Sequence, residues 1–152
     1  MNYCKQLHAC FFILLAGHCL TGHSLASDRA AQVQIENAWI QLAPPSARVH
    51  AAYMQIHNPQ AQAQTIIGVR ADCCAMVMLH QTRKNGDRVQ MDHLEHLVIP
   101  AQASVQLAPG GLHIMLMQAK SDLTLDSRVT ISFDFDDGST QDVELNVKKA
   151  NP

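Results

Sequence analysis

The chain has little of what marks membrane-spanning, nucleic-acid-binding or catalytic proteins. Only 5% of its 152 residues are aromatic and 16% are charged, with a formal net charge of −2. This balance of charge offers nothing to attract nucleic acid. No apolar run reaches the roughly 20 residues that a transmembrane helix needs. The sequence also lacks an HExxH motif and a nucleophile elbow, so no enzymatic activity is predicted.

Residues 1–26 have the features of a cleavable export signal. Lys5 gives a positive start, residues 9–20 are mostly apolar, and Ser24-Leu25-Ala26 places small residues at the −3 and −1 positions. We expect cleavage there, which leaves residues 27–152 as a single exported domain. Because Lys5 is the one charged residue removed, the mature chain keeps ten basic and thirteen acidic side chains, a formal charge of −3.

We expect neither a lipid anchor on this protein nor a disulfide framework within it. Leu15-Ala16-Gly17-His18-Cys19 comes near a lipid-attachment box, but His18 separates the small residues from the cysteine. Cleavage removes three of the five cysteines and leaves Cys73 and Cys74. A domain of this length has core enough to fold without a disulfide framework.

The mature chain predicts an all-β fold. Short alternating or β-branched runs separated by turn residues, with no sustained 3.6-residue period, are typical of a sandwich or barrel. The predicted strands are 34–42, 51–57, 64–70, 75–81, 87–93, 104–107, 112–118, 128–135 and 141–147. The large apolar side chains expected to fill the core are Trp39, Ile35, Val129, Ile131, Phe133 and Phe135.

Asn85-Gly86 predicts a two-residue type I′ hairpin turn, because both of its central residues accept positive φ. In that register His80 would lie directly opposite Met91, with Cβ atoms about 4.5–5.5 Å apart. An imidazole facing a thioether packs no better than two aliphatic groups would. Both groups are, however, ligands that a soft metal ion accepts.

The segment PGGLHIMLM at 109–117 supplies a second pair of such ligands. On a strand, His113 and Met115 share one face, while Ile114 and Leu116 point to the core. The glycines before them let the backbone turn sharply into the strand. We therefore expect a strand that is apolar on its buried side and carries metal ligands on the other.

A site of two imidazoles and two thioethers favours Cu(I). Thioethers are soft and neutral, which excludes calcium and magnesium because these ions take oxygen ligands. Zinc prefers thiolate, imidazole and carboxylate, whereas soft Cu(I) accepts both donor types present here. Methionine also suits an oxidising compartment, because it needs no deprotonation before it binds and oxidises more slowly than a thiolate.

The spacing of the four ligands resembles the signature of the periplasmic copper chaperones called PCu(A)C, H-x10-M-x21-H-x-M. His80, Met91, His113 and Met115 meet it at every spacing. The segments similar to the family's conserved blocks, in their usual order, are NAWI at 37–40, AAYMQIHN at 51–58, IPA at 99–101 and PGGLHIMLM at 109–117. The resemblance covers nearly all of the mature chain.

The resemblance implies a cupredoxin-like Greek-key sandwich or barrel that binds one Cu(I) per chain through these four residues. It implies a chaperone that carries copper to a cuproprotein, the copper centres of cytochrome c oxidase, beside a Sco-type thiol protein. We expect a monomer with no nucleic-acid partner. Two alternatives stay open: a copper-sequestering tolerance protein, and a blue-copper electron carrier, which would need a cysteine thiolate with two histidines and an axial methionine.

Several further methionines and histidines lie near these ligands in sequence. Met76, Met78 and Met117 share the predicted ligand face and could assist, and the hairpin register above places Met78 opposite His93. The remaining histidines of the mature chain are expected to be solvated: His50, His57, His93 and His96.

The two adjacent cysteines stand outside the signature. Neighbouring strand residues point to opposite faces, so Cys73 and Cys74 should not bind one ion together unless a turn intervenes. Packed thiols, a strained vicinal disulfide and an auxiliary copper contact all stay open for this pair.

Overall fold

The computed structural model describes residues 32–44, 47 and 49–149, so the expected signal peptide lies outside the described residues. In this part of the chain every regular element is a strand, which confirms the all-β prediction. No helix among these residues is long and apolar enough to cross a membrane. The strands are β1 (Gln34–Gln41), β2 (Val49–Asn58), β3 (Gln64–Ala71), β4 (Cys74–Asn85), β5 (Arg88–Leu94), β6 (Leu97–Ile99), β7 (Ala103–Leu107), β8 (Leu112–Ala119), β9 (Arg128–Phe135) and β10 (Thr140–Lys148).

Nine of these strands coincide with predicted ones, and β6 does not. Its three residues are too few to show an alternating pattern in the sequence.

Buried Asn58, the last residue of β2, holds the region around β6 in place. Its side-chain amide donates to the carbonyl oxygens of Gln62 at 2.8 Å and Ile99 at 3.1 Å, and Pro100 O lies at 3.2 Å. Its Oδ1 accepts from the backbone N–H of Gln60 at 3.0 Å.

The strands form a single sheet in the order β5-β4-β8-β7-β2-β1-β10-β9-β3-β6, and β8 also pairs with β2. Most neighbours in this order are not consecutive in the chain, and β1 pairs in parallel with β10. Such long-range pairing is characteristic of Greek-key proteins, and the predicted cupredoxin-like architecture is confirmed. For the site, the consequence is that β5, β4, β8 and β2 lie side by side, with β5 at the end of the sheet.

The core lies on one face of these strands. Ile114 and Leu116 on β8 are fully buried, as their alternation with His113 and Met115 predicts. The alternating apolar residues of β9, from Val129 to Phe135, are buried as well. Burial of each such side chain stabilises the fold by roughly 1.5–3 kcal/mol. Because this burial holds β8 in the sheet, the other face of the strand can carry polar or sulfur-containing residues.

Trp39 does not belong to this core, so its predicted role is wrong. A β-bulge in β1 shifts the register against β2 between Glu36 and Trp39, with Asn37 in a left-handed conformation at φ 52°. The extra residue reverses the alternation, so Ile40 becomes fully buried in place of Trp39. The half-buried indole instead packs on Tyr53 with ring centroids 5.2 Å apart, while Ile35 is only partly buried against the core.

Candidate metal site

The β4–β5 hairpin has a different turn from the predicted one. Asn85 pairs with Arg88, so Gly86 and Asp87 are the two loop residues. Gly86 has φ 61°, whereas Asp87 has no positive φ. A glycine at the first central position followed by a residue of ordinary φ is the type II′ arrangement. The expected type I′ turn at Asn85-Gly86 is therefore wrong, because Gly86 occupies the first loop position and not the second.

This turn moves the cross-strand register by two residues. Met91 lies opposite Thr82, and His80 lies opposite His93, so the predicted direct pair of His80 and Met91 is wrong. A shift of two keeps each side chain on its face of the sheet. Met91 and His80 are therefore diagonal neighbours on one face, at the separation of roughly 7 Å that such pairs have.

The second half of the site comes from the pairing of β4 with β8. His80 lies opposite His113, and Met78 lies opposite Met115. Across β5, His93 lies opposite His80 and not opposite Met78, contrary to the prediction. The imidazole rings of His80 and His113 are 5.9 Å apart between centroids and nearly perpendicular. One step further along, Met76 pairs with Met117, so two methionine pairs continue the ligand face next to the histidine pair.

A hydrogen bond fixes the orientation of His113. Its Nδ1 lies 3.0 Å from the carbonyl oxygen of Gly111, which also accepts from the backbone N–H of Thr82 at 3.0 Å. A carbonyl oxygen only accepts, so Nδ1 carries the proton and the lone pair of the neutral ring is on Nε2. This is the usual way in which a backbone group sets the ligating nitrogen of a histidine.

The cleft beside His113 has a volume of about 320 Å³, and Met91, Met115 and His113 all line it. Three of the four predicted ligands thus share one cleft, and His80 reaches its border through the ring contact with His113. None of the described residues that line the cleft carries a carboxylate, an ammonium or a guanidinium group. Of the predicted ligands, His113 is buried and Met91 is 56% exposed.

His80 is held neutral and has a free ring nitrogen. Burial lowers the pKa of its imidazole, and the neighbouring His113 and His93 lower it further. Its Nδ1 is buried and has no hydrogen-bond partner among the described residues. A buried polar atom without a partner is uncommon and points to a ligand in functional sites. A neutral imidazole with an unsatisfied nitrogen fits a metal ion.

Two of the other histidines are not simply solvated. His50 is buried and lines the same cleft, which contradicts the prediction. Its Nδ1 accepts from the backbone N–H of Ala43 at 3.3 Å, so the neutral ring has an N–H and not a lone pair at Nε2. His93 is exposed, but its ring lies 5.6 Å from that of His80. Sequence reasoning missed this contact because it placed the hairpin turn one residue early.

The cysteines lie away from the histidines. Cys74 pairs with Ala119 at the far end of β4, six residues from His80 and thus roughly 20 Å along the strand. Cys74 and Met76 line a different and larger cleft of about 610 Å³. Cys73 and Cys74 therefore do not supply the histidine cleft with the thiolate that a blue-copper centre requires.

The two thiols do meet each other, because Cys73 lies in the turn that precedes β4. Their Sγ atoms are 2.6 Å apart, and both cysteines are free. Burial raises the pKa of the Cys73 thiol to about 12, with a further contribution from the hydrogen bond to Cys74. Burial raises the pKa of Cys74 as well. Both groups are therefore protonated thiols at neutral pH.

A sequence model of the family described as "Putative lipoprotein LpqE-like" matches residues 33–147. This match spans most of the chain and all ten strands up to Val147. The chain belongs to the LpqE-like family of PCuAC domains. A relative from Leifsonia xyli, named "Putative lipoprotein Lxx21020", is 32% identical over 79% of this chain and 72% of its own length.

Solved structures of PCuAC domains share the fold. The Cu(I) form of DR1885 from Deinococcus radiodurans is 32% identical, with a TM-score of 0.64 over 82% of this chain and 85% of that one. The copper-bound PCuAC domain of PmoF2 is 18% identical, with a TM-score of 0.65 over 78% of this chain and 94% of that one. The second likeness shows the fold alone. Together they place this LpqE-like chain among domains whose β-strands are arranged in the same way.

Proposed function

We propose that this protein binds one Cu(I) through His80, Met91, His113 and Met115 and carries it to a cuproprotein. The observation that carries the proposal is the shared cleft: imidazole and thioether groups from β4, β5 and β8 lie on one face around it. The copper-bound structures of DR1885 and of the PmoF2 PCuAC domain support the choice of metal.

The donor chemistry supports Cu(I) over harder ions. The described lining of the cleft is neutral, so a divalent cation would receive no compensating carboxylate there. A monovalent soft ion needs less compensation and bonds well to thioether sulfur. His113 offers its Nε2 lone pair because Nδ1 is occupied by Gly111. Neutral ligands also release an ion without having to take up protons, which suits a carrier.

The test is titration with Cu(I) under reducing conditions in competition with a chromophoric chelator. We expect about one ion per chain, and a loss of affinity of roughly a hundredfold or more in His113→Ala, because outer-shell changes alone cost 10–100-fold. Met115→Leu keeps the packing volume and removes only the sulfur. His96→Ala and Met54→Leu, outside the cleft, are the matched controls. Unchanged binding in both ligand variants would overturn the proposal.

For the acceptor we propose the copper centres of cytochrome c oxidase, with a Sco-type thiol protein acting beside this chaperone. The family resemblance supports this assignment, and the 56% exposure of Met91 leaves one ligand open to a partner. In a deletion strain, delivery predicts loss of oxidase activity that added copper restores. Copper sensitivity with normal oxidase activity would instead establish the alternative, a sequestering tolerance protein.

We propose the periplasm as the compartment, reached through the export signal at residues 1–26. The lipoprotein names of the family and of the Leifsonia relative support export. Cell fractionation followed by intact mass measurement tests both parts. A mass equal to that of a chain beginning at Ser27 supports cleavage and release, whereas a diacylglycerol on Cys19 would show anchoring in the membrane.

A further inference from the structure

His80 lies between two imidazoles. His113 faces it from β8 and His93 faces it from β5, with ring centroids 5.9 Å and 5.6 Å away, and both contacts are edge-on. The motif that defines the family includes the first of these partners and not the second. His80 therefore has two imidazole neighbours, and one of them, His93, lies outside that motif.

The two neighbours differ in their access to solvent. His113 is 6% exposed and lines the cleft together with Met115. His93 is exposed, and so is Met91, two residues away on the same face of β5. In the described sheet β5 has a strand neighbour on one side only. An ion held near His93 would therefore lie at the rim of the protein, and an ion held near His113 would lie inside it.

The three imidazoles form two adjacent pairs that share His80. His93 and His113 are separated by two strand spacings, roughly 10 Å. In keeping with that distance, no three His, Cys, Asp or Glu side chains among the described residues form a single group that could hold a metal. His80, however, is adjacent to both, and its buried Nδ1 has no partner. It can remain a ligand while the second imidazole is exchanged.

We propose that His93 is a further copper ligand, which forms with His80 and Met91 an outer position for Cu(I) from which the ion leaves the protein. The inference rests on the proposed copper function. The bonds from copper to His113 and Met115 break as the bond to His93 forms, and His80 stays bound. Copper remains Cu(I) throughout, and no proton is transferred because the imidazoles are neutral ligands.

The experiment measures the rate at which the fully loaded protein releases Cu(I) to bathocuproine disulfonate, together with its stoichiometry and affinity at equilibrium. We expect His93→Ala to bind one ion with an affinity within a few-fold of the wild type and to release it about tenfold more slowly. His93→Met, which restores a soft ligand, should recover most of the rate. His96→Ala, an exposed histidine just beyond β5, is the matched control.

A release rate in His93→Ala equal to that of the wild type would overturn the outer position. A large loss of affinity in the same variant would also overturn it, since His93 would then belong to the resident site. If the wild-type protein binds no Cu(I), the proposed function itself has failed.

Discussion

The carbonyl oxygen of Gly111 accepts a hydrogen bond from Nδ1 of His113 over 3.0 Å. This contact joins the turn before β8 to the ring of the buried histidine and leaves Nε2 as the nitrogen with the lone pair. Gly110, one residue earlier, has φ 78° and gives the turn its shape. The ring of this proposed ligand is thus already oriented in the metal-free protein.

The first prediction follows from this orientation. In the metal-free protein, long-range ¹H–¹⁵N spectra should show His113 as the Nδ1–H tautomer. Addition of Ag(I), a diamagnetic stand-in for Cu(I), should shift Nε2 by far more than Nδ1. His57, whose Nδ1 lies 3.1 Å from the exposed Ser104 hydroxyl, serves as an internal comparison. A dominant Nε2–H form of His113 would contradict the geometry.

The hairpin register gives a second prediction. Gly86→Ala should lower the free energy of unfolding by about 1 kcal/mol, because φ 61° is strained for a residue with a Cβ. Asn85→Ala should be nearly neutral, since Asn85 is the last residue of β4 and has no positive φ. Urea denaturation of both variants decides the turn type. In a type I′ turn at Asn85-Gly86, both alanine variants would be costly.

A third prediction concerns Asn58. Replacement by alanine removes the amide that binds the carbonyls of Gln62 and Ile99 and leaves them unsatisfied next to buried groups. We expect a loss of about 2–4 kcal/mol in the free energy of unfolding. His57→Ala, at the neighbouring position with an exposed hydrogen bond to Ser104, should change it by less than about 0.5 kcal/mol. Equal losses of stability in the two variants would argue against the buried Asn58 amide as the group that stabilises this region.

The fourth prediction is a pH dependence at the cysteine pair. Burial raises the pKa of Cys73 from 9.0 to about 12, so the folded protein favours the protonated thiol. The contribution of this protonated thiol to the free energy of unfolding is fully present below pH 9. It is lost as the pH rises through about 12. In reduced protein at pH 8, iodoacetamide should react with Cys73 at least about a hundredfold more slowly than in denaturant, because only the thiolate attacks. The rate should rise steeply above pH 10.

A comparison variant separates the effect of burial on the Cys73 thiol from the effect of its hydrogen bond to Cys74. Cys74→Ser removes the partner sulfur but leaves the burial that contributes most to the raised pKa. We expect the alkylation of Cys73 to stay slow in this variant. Rapid labelling of Cys73 in the folded, reduced wild type would show that its thiol is ionised at pH 8, which would contradict a pKa raised to about 12.

Local patterns in the sequence were enough to predict most strands and the face of β8 on which the proposed ligands lie. Alternation with a period of two assigns His113 and Met115 to one face and Ile114 and Leu116 to the other, whatever strands lie beside them. The same alternation put Met91 and His80 on a common face, and this survives the error in register because the shift is an even number of residues.

The sequence by itself determined which residues share a face, because that depends only on the geometry of each strand. The tertiary structure decided which of them meet. The bulge at Asn37 exchanged Trp39 for Ile40 in the core, and Gly86 at the first turn position brought His93 to His80. The pairing of β4 with β8 set His80 beside His113, a residue more than 30 positions further along the chain. Such contacts depend on the packing of the whole sheet, and no local pattern encodes them.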